Sequence, residues 1–205
     1  DAGNSAAVAS GRRNPGVGRF VNFYYNGTDI YNDVSVNYCV HEMFAEKQAD
    51  TLVIRFNDTK GIWSKWQPAA GDTVRFKEGA SDTGKMFIHS MKPENGLFTI
   101  RAMSMPKTAK IRKSKSWEGV RFLQLANEFA GNHGLTFKNY GCEDQVYPYI
   151  KQSNEGDFSL FSRLCMLEGC QMLIFDGSLL AYNEHYIEQQ EPAGGLTVDE
   201  NGVFT

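Results

Sequence analysis

The chain has 205 residues, 41% of them hydrophobic and 22% charged, with a formal net charge of −3. That balance excludes a generally disordered chain and leaves no overall basic footprint for nucleic acid, and no apolar run approaches the roughly 20 residues a membrane-crossing helix needs. Aromatics reach 13%, with 14 Phe and 9 Tyr, which favours strands because flat rings fit a pleated, half-buried surface.

Residues 1–18 are small and polar without periodicity, and are expected to form a flexible arm. From Arg19 to Ala102 short strand patterns alternate with turn residues. "RFVNFYY" runs into Asn26-Gly27, a hairpin signal because both residues accept positive φ. "DVSVNYCV" alternates, which predicts Val34, Val36, Tyr38 and Val40 on one face. "TLVIRF", "DTVRFKEG", "KMFIHSM" and "GLFTIRAM" continue the series, the last two joined by Pro93-Glu94-Asn95-Gly96. No helical period is visible here, and six or seven short strands point to a small barrel or a sandwich.

Ser104 to Ser116 is polar, basic and Pro-containing, and reads as a linker. Ser116 is then the expected cap of a helix starting at Trp117, with Trp117, Val120, Leu123, Phe129 and Ala130 on its apolar stripe, Leu125 and Ala126 flanking it, and Gly131 or Gly134 as its stop. "LTFKNY" and "QVYPYIKQ" follow as short extended segments. Asn154 is expected to cap a second helix, with Glu155 and Asp157 in its first turn, where negative charge complements the helix dipole. Phe158, Phe161, Leu164 and Cys165 continue at helical spacing to Gly169. "CQMLIF" and "SLLAYN" flank Asp176-Gly177, a second hairpin signal. Arg163, alone on an apolar turn, is expected to pair with Glu155 or Asp157. The order helix, strand, helix, hairpin makes this half a separate α+β unit.

Little in the sequence carries chemistry. Cys39, Cys142, Cys165 and Cys170 form no CxxC pair, and are expected to be reduced, buried thiols. "HEMFA" at 41–45 lacks the second histidine of a zinc-protease motif. Glu143 and Asp144 are adjacent carboxylates of a kind usually just solvated. Lys107, Lys110, Arg112, Lys113 and Lys115 form a basic run without interleaved aromatics, so a solvated face is favoured over a nucleic-acid contact. Trp63 and Trp66 could form a carbohydrate platform, plug the end of a barrel, or stack at a subunit contact. Neither a catalytic constellation nor a cofactor or metal motif is found.

"QSNEGDFSLFSRLCMLEG", Gln152 to Gly169, resembles the Q-S-x-E-S-D-x-x-F-x-x-R-L-x-x-x-x-G pattern of the phage late control protein D family, the baseplate hub proteins of contractile tails; related segments open the spike proteins of type VI secretion systems. Gln152, Ser153, Glu155, Asp157, Phe161, Arg163, Leu164 and Gly169 match, whereas Gly156 replaces the usual serine, which puts the capping of that turn in question. "CQMLIFDGSLLAY" is similar to the family's strand, turn and strand around Asp176 and Gly177. "WEGVRFLQLANEFAGNHGL" looks like its preceding helix, opening on Trp117, and Trp66, Pro68, Gly71 and Asp72, with "ADTLVIRFND" and "GDTVRF", look like its first barrel. The resemblance runs in order from about Phe20 to Glu188.

It implies a β-rich α+β chain: arm 1–18, tube-like β-barrel 19–105, α+β intervening domain 106–190, and linker with the start of a second barrel at 191–205. It implies a structural, non-enzymatic role without cofactor or metal. The chain would form a homotrimer that matches a six-fold tail tube to a three-fold spike, with the tube and spike proteins as partners and no membrane or nucleic-acid role. Its place would be the virion tail, baseplate or injection machine, made in the bacterial cytoplasm. The competing expectations are a carbohydrate- or cell-wall-binding module built on Trp63 and Trp66, and a cell-wall hydrolase.

Overall fold

The computed structural model describes residues 6–9, 21–44 and 49–191. Most of the expected arm at 1–18 and of the expected linker and second barrel at 191–205 lies outside these residues, as does Ala45 of "HEMFA". The fold is β-rich α+β.

The first half is one antiparallel sheet. Strands β1 (Ala6–Ala9), β2 (Val21–Tyr25), β3 (Thr28–Asp29), β4 (Ser35–Met43), β5 (Thr51–Asn57), β6 (Thr73–Glu78), β7 (Ser81–Asp82), β8 (Met86–Glu94) and β9 (Leu97–Met103) pair in the order β1-β4-β5-β9-β8-β6-β2-β3, with β7 also on β6. Asn26-Gly27 makes the tight β2–β3 turn with φ of 47° and 83°, as the sequence suggests, and Asn95-Gly96 alone turns β8 into β9. Phe23, Leu52, Ile54, Phe56, Val74, Met86, Ile88, Phe98 and Ile100 build its core.

The expected barrel does not close. Among the described residues the ladder ends at β1 and β3, and no pairing joins the two. Strand β3 is two residues long and exposed, too short to template a further ladder. Its Asp29 carboxylate accepts from the Phe23 and Tyr31 amides and turns the chain away. The alternation in β4 also changes phase: a register shift between Val36 and Tyr38 leaves Val36 against the core but turns Cys39 and His41 inward, 4% and 5% exposed. Tyr38 and Val40 take the other face, because one extra residue inverts every side chain after it.

A helix unseen in the sequence, α1 (Ile62–Trp66), follows β5. Asp58 starts it by accepting from the Ile62 amide at 2.6 Å. A single turn is too short to display a period.

The second half differs from expectation at its entry. Residues expected to be a linker form a 3-10 turn, Lys107–Lys110, and then β10 (Lys113–Arg121), paired with β12 (Val146–Glu155). Ser116 therefore caps nothing and Trp117 lies on a strand. Helix α2 runs Phe122–Asn132, burying Phe122, Leu125, Ala126, Phe129 and Ala130. Its first turn is capped from afar: Asp144 accepts from the Leu123 amide at 3.0 Å and holds Arg121 at 2.8 Å. Helix α3 runs Asp157–Leu167, and its cap is Gly156 rather than Asn154, which sits in β12 with φ of 49°. Strand β11 (Thr136–Tyr140) pairs parallel to β14 (Ser178–Tyr182), which pairs antiparallel to β13 (Gln171–Phe175); a short helix, α4 (Glu184–Glu188), follows. Helices α2 and α3 and the inner faces of these strands share a second core, to which Phe87 of β8 also belongs.

Candidate functional site

The most developed polar cluster surrounds Asp157 at the start of α3. Its side chain is 2% exposed, yet its Oδ2 accepts from Lys113 Nζ at 3.0 Å, Asn132 Nδ2 at 3.2 Å and His133 Nε2 at 3.1 Å, and its Oδ1 accepts from Gln152 Nε2 at 2.9 Å. Gln152, also buried, donates to the Glu155 carbonyl as well. Burial opposes ionisation of Asp157, but the hydrogen bonds of Gln152, Lys113 and Asn132 outweigh it and hold the carboxyl below its ordinary range. For His133 burial prevails over the nearby carboxylate and pushes the imidazole down. The neutral ring then donates from Nε2 to Asp157 and accepts at Nδ1 from Thr108, 2.9 Å away. One carboxylate thus ties β10, α2, β12 and α3 together, and His133 extends the tie to the 3-10 turn.

Thr108, His133 and Asp157 are in the order hydroxyl, imidazole, carboxylate, as in a nucleophile relay. Here the carboxylate is saturated by three further donors. Two surface clefts, of about 440 Å³ and 590 Å³, are lined by none of the three. The arrangement organises helix ends and strands.

The matched motif residues fall around this node. Phe161 and Leu164 are fully buried in the second core. Arg163 pairs with Glu155 at 2.9 Å on the surface, as one of the two expected partners; Glu155 ends β12 instead of entering the helix. Gly169 follows α3 with φ of 66°, and Ser153 is exposed. Arg163→Ala is expected to cost about 1 kcal/mol or less, the worth of an exposed pair, as read by urea unfolding.

Gly156 stands where the resembled motif has serine, and a side chain there has no room. A Cβ there would lie 2.8 Å from the Ala109 carbonyl oxygen, so the 3-10 turn packs directly on the glycine backbone. Serine is ordinarily a good helix cap. Here Gly156→Ser is expected to destabilise by about 1–3 kcal/mol, the range for overpacking, in the same unfolding measurement.

Trp117 of β10 packs edge-on against Phe129 at 5.7 Å, donates from Nε1 to Glu128 and lies under Lys115 Nζ. Lys115 in turn pairs with Glu128 at 2.6 Å. Lys113 and Lys115 of the basic run are thereby committed to carboxylates.

In the first half Asp72 gathers the Pro68–Asp72 turn. It accepts from the Tyr25 hydroxyl, from Asn26 Nδ2 at 3.2 Å and from the Ala69 amide at 2.7 Å. Burial, then Asp72 itself, push the Tyr25 hydroxyl up. The Gly71 amide donates to Ile88 O at 2.9 Å, and Pro68 is half-buried. Trp66 is 40% exposed, but Trp63 is 1% exposed, stacked on Phe98 at 5.2 Å and against Phe56 at 4.7 Å. Trp63 therefore offers no ring face to a sugar, and the two-tryptophan platform is not formed. Trp63 plugs the sheet core.

The four cysteines are free and buried. Burial pushes the Cys39 and Cys165 thiols up to about 12, and Cys142 and Cys170, which interact, are also raised. Among the described residues no three His, Cys, Asp or Glu side chains are grouped to hold a metal ion. Asp144 is engaged by Arg121 and the α2 amide, and Glu143 accepts from Gln145. Asp176 and Gly177 form the tip of the β13–β14 hairpin, with φ of 46° and 71°. Lys113, Asn132, His133 and Asp144 carry no local signature; their roles exist only once distant segments meet.

No family model matches the chain, and no curated protein matches it in sequence. Solved structures match it in fold. The tail protein from Neisseria meningitidis MC58 superposes with a TM-score of 0.61 at 11% identity, over 80% of this chain and 50% of that one. The 43 kDa tail protein of prophage MuSo2 from Shewanella oneidensis gives 0.56 at 12% identity, over 80% and 54%. Prophage tail protein gp18 from Listeria monocytogenes EGD-e gives 0.54 at 12% identity, over 80% and 51%. At these identities the likeness is one of fold, and the chain spans about half the length of each of these proteins.

Proposed function

We propose that this chain is a structural part of a phage or prophage tail, and that within it the chain serves as a baseplate hub joining the tail tube to the spike in a trimeric ring. The observation that carries the reading is the shared fold with three tail proteins over 80% of the chain. The motif from Gln152 to Gly169 narrows it to the hub. On this reading the first half is the tube-like unit, 19–105, and the second the intervening unit, 106–190. Partners are further copies of the chain, the tail tube protein and the spike protein, and the protein acts without cofactor or catalytic step.

A ring built of repeated contacts needs only a modest patch per subunit. Met43, Trp66, Ile111, Val146, Tyr149 and Leu167 are large apolar side chains left exposed, and supply surface for such contacts. Immunogold labelling of particles purified after induction tests the role. Label at the baseplate end of the tail is the expected result; label along the tube, or no label on particles, would overturn it.

A further inference from the structure

The two halves meet beside the crossing that joins them. The chain crosses from β9 into the 3-10 turn, and beside that crossing His89 Nε2 lies 2.8 Å from Met105 O while Phe87 is buried in the second core. A second meeting point lies at the tip of the β13–β14 hairpin. Asp176 Oδ1 accepts from the Lys85 backbone amide at 2.9 Å, bridging residues 91 apart in sequence, and lies 3.8 Å from Arg75 Nη1. Beneath the tip Gly84 is buried with φ of +63°, and a Cβ there would come 3.1 Å from Asp176 Cα. A Cβ on Gly177 would lie 3.2 Å from Lys85 Cδ. The tip thus seats backbone against backbone on the sheet.

We propose that the Asp176-Gly177 turn is a docking latch: it fixes the orientation of the second half on the first, and it can be released with both halves still folded. Units of one chain move relative to one another by default unless a large hydrophobic interface holds them. A single attachment at the crossing leaves a swing. Lys85, the residue just before β8, lies four residues from His89, a separation of up to about 13 Å at strand rise, and a second attachment at that distance removes the swing. The exposed Arg75–Asp176 pair contributes little by itself; the amide hydrogen bond and the fit over Gly84 carry the latch. The inference does not depend on the tail role, and its test uses the isolated chain.

Two disrupting variants and two controls decide it. Asp176→Gly removes the acceptor but keeps the left-handed turn, whereas Asp176→Asn keeps a side-chain oxygen. Gly84→Ala drives a methyl into Asp176. Gly79→Ala imposes the same left-handed strain, φ +59°, where a Cβ meets nothing within 4 Å. Amide residual dipolar couplings are measured in all four and in the unaltered protein, with exchange of the Lys85 amide. The unaltered chain, Asp176→Asn and Gly79→Ala are expected to fit one alignment tensor across both halves. Asp176→Gly and Gly84→Ala are expected to need two, with Lys85 exchange at least about tenfold faster, as for a locally opened contact. One common tensor for both disrupting variants, or unchanged Lys85 exchange, would overturn the latch. The indole resonances of Trp63 and Trp117 report on the two cores separately. Loss of either in Asp176→Gly would overturn the claim that release leaves both halves folded.

Discussion

Asp157→Leu is expected to cost about 2–5 kcal/mol, because the buried His133 and Gln152 donors each lose their acceptor at about 1–3 kcal/mol apiece, and to unfold the second half before the first. The substitution strands the His133 Nε2 proton and the Gln152 amide, whereas Lys113 and Asn132, which also converge on the carboxylate, are exposed and turn to water. Each buried donor without an acceptor carries its own desolvation cost. Asp157→Asn keeps one acceptor oxygen for Gln152 and costs less.

The pH dependence has a definite sign. The Asp157 carboxyl is held below its ordinary 3.8 in the folded chain, so its contribution is present above that value and is lost as pH falls through the depressed folded pKa. His133 is pushed below its ordinary 6.5. Its neutral form is the folded one, so that contribution is complete above 6.5 and declines as pH falls. His41 and His89 are lowered in the same direction, chiefly by burial. Urea unfolding between pH 3 and 8, followed at Trp117, should show stability falling from neutral pH downward, and the part lost below 3.8 should be missing in Asp157→Asn. Equal acid sensitivity in the two proteins would refute the role given to Asp157.

Trp63→Ala should cost about 3–5 kcal/mol, as for truncation of a large buried aromatic, and should unfold the first half. Phe23, Phe56, Phe98 and Tyr25 all meet its ring, and none can fill the space it leaves without moving a strand. Trp66→Ala, removing an edge-on ring 5.3 Å from Trp63, should cost about 1 kcal/mol, the worth of one aromatic pair. Thermal unfolding of the two variants separates a plug from a platform: a sugar platform would place both tryptophans on the surface and make both substitutions mild.

What could be read from the sequence was local. Asn26-Gly27 and Asp176-Gly177 declared their turns because a two-residue turn depends on little beyond those residues. Phe129 and Ala130, with Leu125 and Ala126 beside the expected stripe, declare part of the buried face of α2, although the helix begins five residues later than expected and its buried Phe122 lies off that stripe. Lys113 to Ser116 reads as linker and Trp117 to Arg121 as the start of a helix, because the stability of β10 comes from the β12 ladder and from carboxylates on α2 and α3. Asp144 caps a helix that begins 22 residues earlier in the chain, and no local pattern announces that. The phase change in β4 follows from one inserted residue that the Val-Tyr alternation hid. The barrel expected at 19–105 remained open because β3 breaks off after Asp29. The motif around Gln152 and Asp157 was legible as a pattern, but its reason was not. Its glutamine and aspartate are two members of a node whose other members lie on separate segments.

Counting copies per particle tests the central claim most directly. Quantitative mass spectrometry of purified tail particles, scaled to the tube protein, should find three copies of this chain in its native polypeptide per tail, with cryo-electron microscopy placing them between tube and spike. Six copies per tube layer, or particles complete without the chain, would contradict the hub.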